Sequence, residues 1–320
     1  MPWRESDAQL ERARAERAET ILTPRGALYA IVTPAAPAAP AAGRCVVFFT
    51  RPRSHRNRMW VEAARELAAR GFAACRFDYH GCGDSEGESG HLDPNHPYAE
   101  DAVAVLRHLR SAHGETRFVL IGSCFDARTA LSAFTDEGTA IEGIAFIAAP
   151  VMELGLMVAA HAGTKDWKHL AKSLRNPGNW TSLARAGRWR HMATVLGRVT
   201  KKTLGGGEAP NDTPLADSFV RHFRALERSR ARALFLYGET DQELASFRVA
   251  QETLLREIPP SMHARFETEI WPADIHGFLN VPLQRRALER CLAWALSFHP
   301  DAGTRARGGA ASGARAAAGA

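Results

Sequence analysis

Three short segments of this chain carry side chains suited to acyl chemistry. In Phe118–Leu131 (FVLIGSCFDARTAL) an apolar run ends at Gly122 and a helical pattern starts by Phe125, which leaves Cys124 at the apex. A nucleophile on such a strand–turn–helix corner points out of the sheet, and the N–H of the next residue points at the reacting carbonyl oxygen. Gly122, two residues before the apex, leaves room for the turn. Ala233–Asp241 (ALFLYGETD) is a strand pattern, a Gly-containing turn and a carboxylate, and Trp271–Asn280 (WPADIHGFLN) puts His276 in a loop after the last strand pattern. The chemistry such a trio performs is nucleophilic. His276 takes the thiol proton, the sulfur attacks an acyl carbon, and Asp241 fixes the imidazole tautomer and stabilises its cation.

Each assignment has a rival. Ser123 adjoins Cys124, but counting from Gly122 puts the apex at Cys124. For the acid, Glu239, Glu153 and Asp274 compete with Asp241. Asp126 is an oddity, a carboxylate two residues after the nucleophile. There it either opposes thiolate formation, serves the substrate, or simply complements the first turn of a helix.

These turns need a scaffold. Short apolar runs at 27–32, 45–50, 73–79, 118–122, 141–149, 233–237 and 265–271 read as strands. Helical spacing connects them at 59–68, 98–109, 125–134, 244–257 and 282–297. Strands alternating with helices predict an α/β fold with a mostly parallel sheet covered on both faces. Residues 151–230 break the alternation and read as a helical insertion over one edge of the sheet. The predicted organisation is an N-terminal helical extension (1–20), a core (21–150 and 231–298), the helical insertion (151–230) and a disordered tail (299–320) that from about Ala302 is Ala, Gly, Arg and Ser only, apart from Thr304.

Composition narrows the class. Hydrophobic residues make up 45% and charged residues 24%, which fits a globular chain. No apolar run is long enough to span a bilayer, and the Arg/Glu-rich start argues against export. Five scattered cysteines without metal spacing suit free thiols in a cytoplasmic setting. No metal or cofactor is expected.

With these motifs in view, Arg76–Gly87 (RFDYHGCGDSEG) resembles the D-x-x-G-x-G-x-S loop of serine aminopeptidase-like α/β-hydrolases. Together with the three segments above, the resemblance spans about residues 27–297. A cysteine nucleophile is similar to that of dienelactone hydrolases and of the Cys-triad thioesterases and cyclases of natural-product assembly. The resemblance implies an α/β-hydrolase fold and a Cys124–His276–Asp241 triad. It also implies an oxyanion hole built from the main-chain N–H groups of Phe125 and Arg51, and loop-shaping roles for Asp78 and Asp84. This chain departs from the pattern twice. Asp126 stands where a glycine is usual, and Arg51-Pro52 stands where a His-Gly pair is usual.

In the fold that the resemblance implies, the insertion at 151–230, after the sixth strand, forms a helical lid over the nucleophile, and this lid is strongly basic. Lys165–Lys202 holds ten Lys/Arg against one acid, whereas the whole chain has a net charge of +6. Trp167, Trp180 and Trp189 are interleaved, with Arg188 and Arg190 beside the last. Such a lid suits an acyl substrate carried on an acyl-carrier protein or on CoA; no nucleic-acid motif accompanies the charge and no membrane partner is expected. The expected activity is acyl transfer, hydrolysis or cyclisation through an S-acyl enzyme. The alternatives are a small-ester or lactone hydrolase, or a binding protein on a hydrolase fold.

Overall fold

A computed structural model describes residues 15–36, 43–88, 97–136, 140–152, 215–276, 278 and 280–299. Among them an eight-stranded sheet runs in the order β1-β2-β4-β3-β5-β6-β7-β8. The strands are β1 (Arg17–Thr23), β2 (Gly26–Thr33), β3 (Arg44–Phe49), β4 (Ala73–Phe77), β5 (Arg117–Ser123), β6 (Ile141–Ile147), β7 (Arg232–Gly238) and β8 (Phe266–Trp271). β1 and β2 pair antiparallel with each other, and β2 pairs antiparallel with β4. All other pairings are parallel.

The interior strands explain themselves. Every residue of β3 and β4 is buried, as expected of parallel strands covered on both faces. Alternation sends successive side chains to opposite sides. Cys45, Val47 and Phe49 join one core with Phe77, Val105, Leu109 and Phe235, while Val46 and Phe48 join the other with Trp60, Leu67, Ile121 and Trp294.

Helices cover both faces. α1 (Met59–Ala69) buries Met59, Trp60, Ala63, Ala64 and Leu67, spaced three and four apart. α2 (Ala99–His113) buries Ala102, Val105, Leu106 and Leu109 and ends at Gly114 in the left-handed conformation. α3 (Asp126–Ser132) follows the β5 turn, α4 (Asp217–Arg228) precedes β7, α5 (Leu244–Ala250) follows β7, and α6 (Val281–Leu296) closes the described fold. Asn280 caps α6, its side chain accepting from the Leu283 N–H at 3.2 Å.

Two boundaries differ from the sequence reading. Residues 17–20, expected in an N-terminal helical extension, form the first half of β1. Only Ile21 of that strand is buried, so its apolar signal is too sparse to stand out. Residues 217–228 fall within the expected lid, yet α4 sits in the core, burying Phe219, Phe223 and Leu226. Arg128 of α3 ties that helix down by donating to Ser218 and, at 3.2 Å, to the Met152 carbonyl. Residues 153–214 of the expected lid, and with them Trp167, Trp180, Arg188, Trp189, Arg190 and Glu153, lie outside the described residues. So does the expected C-terminal tail, apart from its first residue. No helix among the described residues is long and apolar enough to cross a membrane.

Candidate active site

β5 delivers Cys124 to the C-terminal edge of the sheet. Cys124 has a φ of 53°, the left-handed conformation that side chains rarely adopt. The turn is held from both sides. The Cys124 N–H donates to the Ile147 carbonyl of β6 at 2.8 Å, and the Cys124 carbonyl accepts from the Ala127 N–H at 3.2 Å. Gly122 is required where it stands: a Cβ there would lie 2.4 Å from the Ala127 Cα. Without a side chain at 122, α3 folds back against the strand that precedes it.

The thiol is partly covered, and burial pushes its pKa up to about 12. The charge of Glu243 adds to that rise, and Asp126 adds less. The main-chain N–H of Phe125, facing the sulfur, opposes it, and Arg51 opposes it less. At rest Cys124 is therefore a neutral thiol.

The turn after β7 is tight for a similar reason. A Cβ on Gly238 would sit 2.0 Å from the Ala273 carbonyl oxygen, so the β7 and β8 loops touch there. Asp241 lies between them. Its carboxylate accepts from the main-chain N–H groups of Gly238 (2.6 Å), Ile275 (2.8 Å) and His276 (3.1 Å). Burial nevertheless raises its pKa, with those N–H groups pulling the other way. The sequence reading gave Asp241 the imidazole; in the structure it holds the backbone on which the imidazole is mounted. The carboxylate at the ring is Glu243, whose Oε1 lies 3.3 Å from His276 Nδ1. Glu243 is 2% exposed and His276 about 37%. The physical reason is reach. Three N–H groups occupy the short Asp241 side chain, while the longer Glu243, two residues on and just before α5, extends to the ring. Glu239 and Asp274 do not take that place. Asp274 Oδ1 accepts from the His276 N–H at 2.8 Å.

Cys124 and His276 share Glu243 as a neighbour: its charge acts on the thiol and its carboxylate touches the imidazole. No direct hydrogen bond joins Cys124 to His276 among the described residues.

On the other flank, Arg51 and Asp126 meet. Arg51 Nε donates to Asp126 Oδ1 at 2.7 Å, and the guanidinium lies 5.7 Å over the Tyr79 ring. Asp126 is 5% exposed, and burial raises its pKa to about 6 against the pull of Arg51's side chain and main-chain N–H. Arg51 was expected to offer that N–H to an oxyanion; here it acts on the Asp126 carboxylate. Behind them, Asp78 accepts from the main-chain N–H groups of Arg53 (3.3 Å) and Asp84 (3.2 Å). Asp84 pairs with Arg53 at 2.6 Å. Both aspartates shape the loop between β4 and α2.

A mostly parallel sheet with a left-handed turn residue after β5 and a histidine after β8 is the architecture of an α/β-hydrolase. Residues 40–254 match the family described as serine aminopeptidase, S33, and the chain belongs to that family. It is a hydrolase of the α/β fold. Solved structures show the same fold. A proline iminopeptidase from Mycobacterium smegmatis is 17% identical, with a TM-score of 0.55, covering 89% of this chain and 100% of that one. An esterase from Pyrococcus furiosus is 13% identical, also at 0.55, covering 93% and 96%. A proline iminopeptidase-related protein from Thermus thermophilus is 20% identical at 0.50, covering 89% and 98%. No match was found among curated proteins. The family is named for a serine; in this chain the apex residue is Cys124.

Proposed function

We propose that this hydrolase cleaves or transfers an acyl ester or thioester through an S-acyl intermediate on Cys124. The observation that carries the reading is Cys124 itself, held at φ 53° on the β5–α3 turn with the Phe125 N–H at its sulfur. His276 takes the thiol proton as the sulfur bonds to the acyl carbon. The carbonyl oxygen becomes an oxyanion beside the Phe125 N–H, a donor of the kind worth about 3–4 kcal/mol. When the tetrahedral intermediate collapses, the bond to the leaving alcohol or thiol breaks and His276 returns the proton to it. Water, or another acceptor, then gives a proton to His276 and attacks the S-acyl carbon; the C–S bond breaks, and His276 returns that proton to the departing Cys124 sulfur. Glu243 orients the imidazole and stabilises its cation, and Asp241 positions the loop that carries it.

A neutral resting thiol suits this order of events, since the proton leaves during attack and not before. The basic stretch Lys165–Lys202 supports an anionic carrier for the acyl group, a carrier protein or CoA. A second reading, a binding protein on the hydrolase fold, draws on the same high thiol pKa and on the Arg51–Asp126 pair beside the turn.

Intact-mass measurement separates the two. The protein is exposed to a panel of acyl-CoA thioesters and p-nitrophenyl esters, with Cys124→Ala as the blank. The proposal expects a mass gain of one acyl group on wild type, absent in Cys124→Ala. Retention of the adduct by Cys124→Ala and its loss in Ser123→Ala would move the nucleophile to Ser123. No adduct and no turnover with any of the panel would favour the binding reading.

A further inference from the structure

Away from the catalytic turn, three side chains converge without any role in acyl transfer. Glu19 lies in β1, and His108 and His113 lie in the last turns of α2. His108 Nε2 is 2.7 Å from Glu19 Oε2, and His113 Nε2 is 2.8 Å from Glu19 Oε1. The ligand-capable atoms of the three residues all lie within 4.8 Å of one another, and each residue is half-buried. On an ideal helix, residues five apart point about 140° away from each other. The two imidazoles instead aim their Nε2 atoms at one carboxylate, with ring centroids 5.9 Å apart. Two residues beyond His113, Glu115 keeps a buried carboxylate oxygen with no hydrogen-bond partner among the described residues.

We propose that Glu19, His108 and His113 bind a first-row divalent transition-metal ion such as zinc. Two imidazole nitrogens and one carboxylate oxygen form a donor set that suits zinc, nickel, copper or iron(II) and not magnesium or calcium, which favour all-oxygen sites. Three protein ligands leave at least one position for water. The location gives the ion a structural role. α2 ends at His113 and feeds the start of β5, whereas Cys124 lies past the far end of that strand. β1 is the edge strand of the sheet. An ion here would tie that edge to the helix behind it, and its binding energy would add to the folding energy.

The competing explanation is that both imidazoles simply donate N–H bonds to Glu19 and no metal is involved. Full-length protein without a polyhistidine tag, stripped with a chelator and dialysed, decides between them by calorimetric titration with Zn²⁺ and absorption titration with Co²⁺. The proposal expects one saturable site per chain and a higher melting temperature with zinc. His108→Ala and His113→Ala should each weaken zinc binding by at least ~100-fold, more than losing an outer-sphere partner costs. His113→Gln keeps an amide N–H for Glu19 while removing the imidazole ligand. It should fold like wild type, judged by circular dichroism, and still lose the site. His276→Ala and Cys82→Ser should bind zinc as wild type does, because neither residue belongs to this cluster. Wild-type affinity in His113→Gln, loss of the site in His276→Ala, or no saturable binding at all would overturn the proposal.

Discussion

The turns after β5 and β7 each bury one aspartate to the same degree: Asp126 and Asp241 are both 5% exposed. They are satisfied in opposite ways. Asp241 is held mainly by three main-chain N–H groups from two loops. Asp126 depends on a single residue, Arg51. Main-chain donors are fixed by the fold, so Asp241 is part of the frame. Asp126 draws on the side chain of Arg51 as well as its main-chain N–H, and the side-chain part of that hold can move without undoing the turn. Burial raises the pKa of both. The difference teaches where each carboxylate is useful: Asp241 can fix a loop, while Asp126 and Arg51 together can respond to what enters the site.

The largest effect should come from the β5 turn itself. Cys124→Ala should lower kcat/KM by at least ~10⁴-fold, in line with nucleophile deletions in covalent hydrolases. The melting temperature should hardly move, because the turn is fixed by main-chain bonds to Ile147 and Ala127. A variant that keeps near-normal turnover would remove Cys124 from the chemistry.

The β7 turn should then split into a catalytic and a structural carboxylate. Glu243→Gln should cost ~10²–10⁴ in kcat with little change in stability, because it removes the charge that supports the imidazolium. Asp241→Ala should instead destabilise the fold by about 3 kcal/mol, since buried N–H groups lose their acceptor. Urea denaturation and steady-state kinetics on both variants check this. If the isosteric Asp241→Asn lowers kcat more than Glu243→Gln at unchanged stability, the roles are reversed.

How far the sequence carried these assignments depends on what each rests upon. The buried parallel strands were legible because continuous apolar runs such as CVVFF have no other reading beside Gly and Pro. The strand–turn–helix corner after β5 was legible because Gly122 and Cys124 are local in the chain. β1 was not, since RAETILT buries one residue and its place comes from pairing with β2. Glu243 was not, since it is chosen only once the N–H groups of residues 275 and 276 have claimed Asp241, a tertiary event. One signal was present in the sequence and was read in pieces. The chain has an unusual arginine after β3 and an unusual aspartate two residues after Cys124. The two departures complement each other as one buried ion pair.

That pair gives the next prediction. Asp126 has an ordinary pKa of 3.8 raised to about 6 in the fold. For an acid with a raised pKa, the folded state disfavours the charge. Stability attributable to this group is therefore greatest below about pH 4, falls as pH rises from about 4 to about 6, and is flat above that. Two pH units correspond to about 3 kcal/mol as an upper figure. Asp126→Asn should flatten this part of the profile, so the variant gains on wild type between pH 4 and pH 6. Urea midpoints measured in parallel at pH 4, 5, 6 and 7 give the difference. A variant curve that simply parallels the wild-type curve would mean that Arg51 offsets the burial and that Asp126 titrates in the fold as it does in the unfolded chain.

The smallest effect compares the two turns at the thiol they share. Burial is the main cause of the raised Cys124 pKa, and no single substitution of a neighbour removes it. What a substitution can remove is a charge. Glu243 is the stronger of the two acidic neighbours, and Asp126 the weaker. Asp126 is also close to Arg51, whose positive charge acts on the thiol with the opposite sign, so the pair partly cancels at the sulfur. Glu243→Gln should therefore lower the Cys124 pKa more than Asp126→Asn does, and both should lower it. The measurement is the pH dependence of iodoacetamide alkylation at Cys124, followed by peptide mass, since Cys45, Cys75 and Cys291 are buried. The comparison should be made in a His276→Ala background as well, so that a disturbed imidazole is not mistaken for a removed charge. If Asp126→Asn produces the larger fall, Arg51 stays in place once its partner is neutral and its charge reaches the sulfur unopposed. The β5 turn would then set the reactivity of its own nucleophile. If Glu243→Gln produces the larger fall in both backgrounds, that reactivity is set across the site, from the β7 turn.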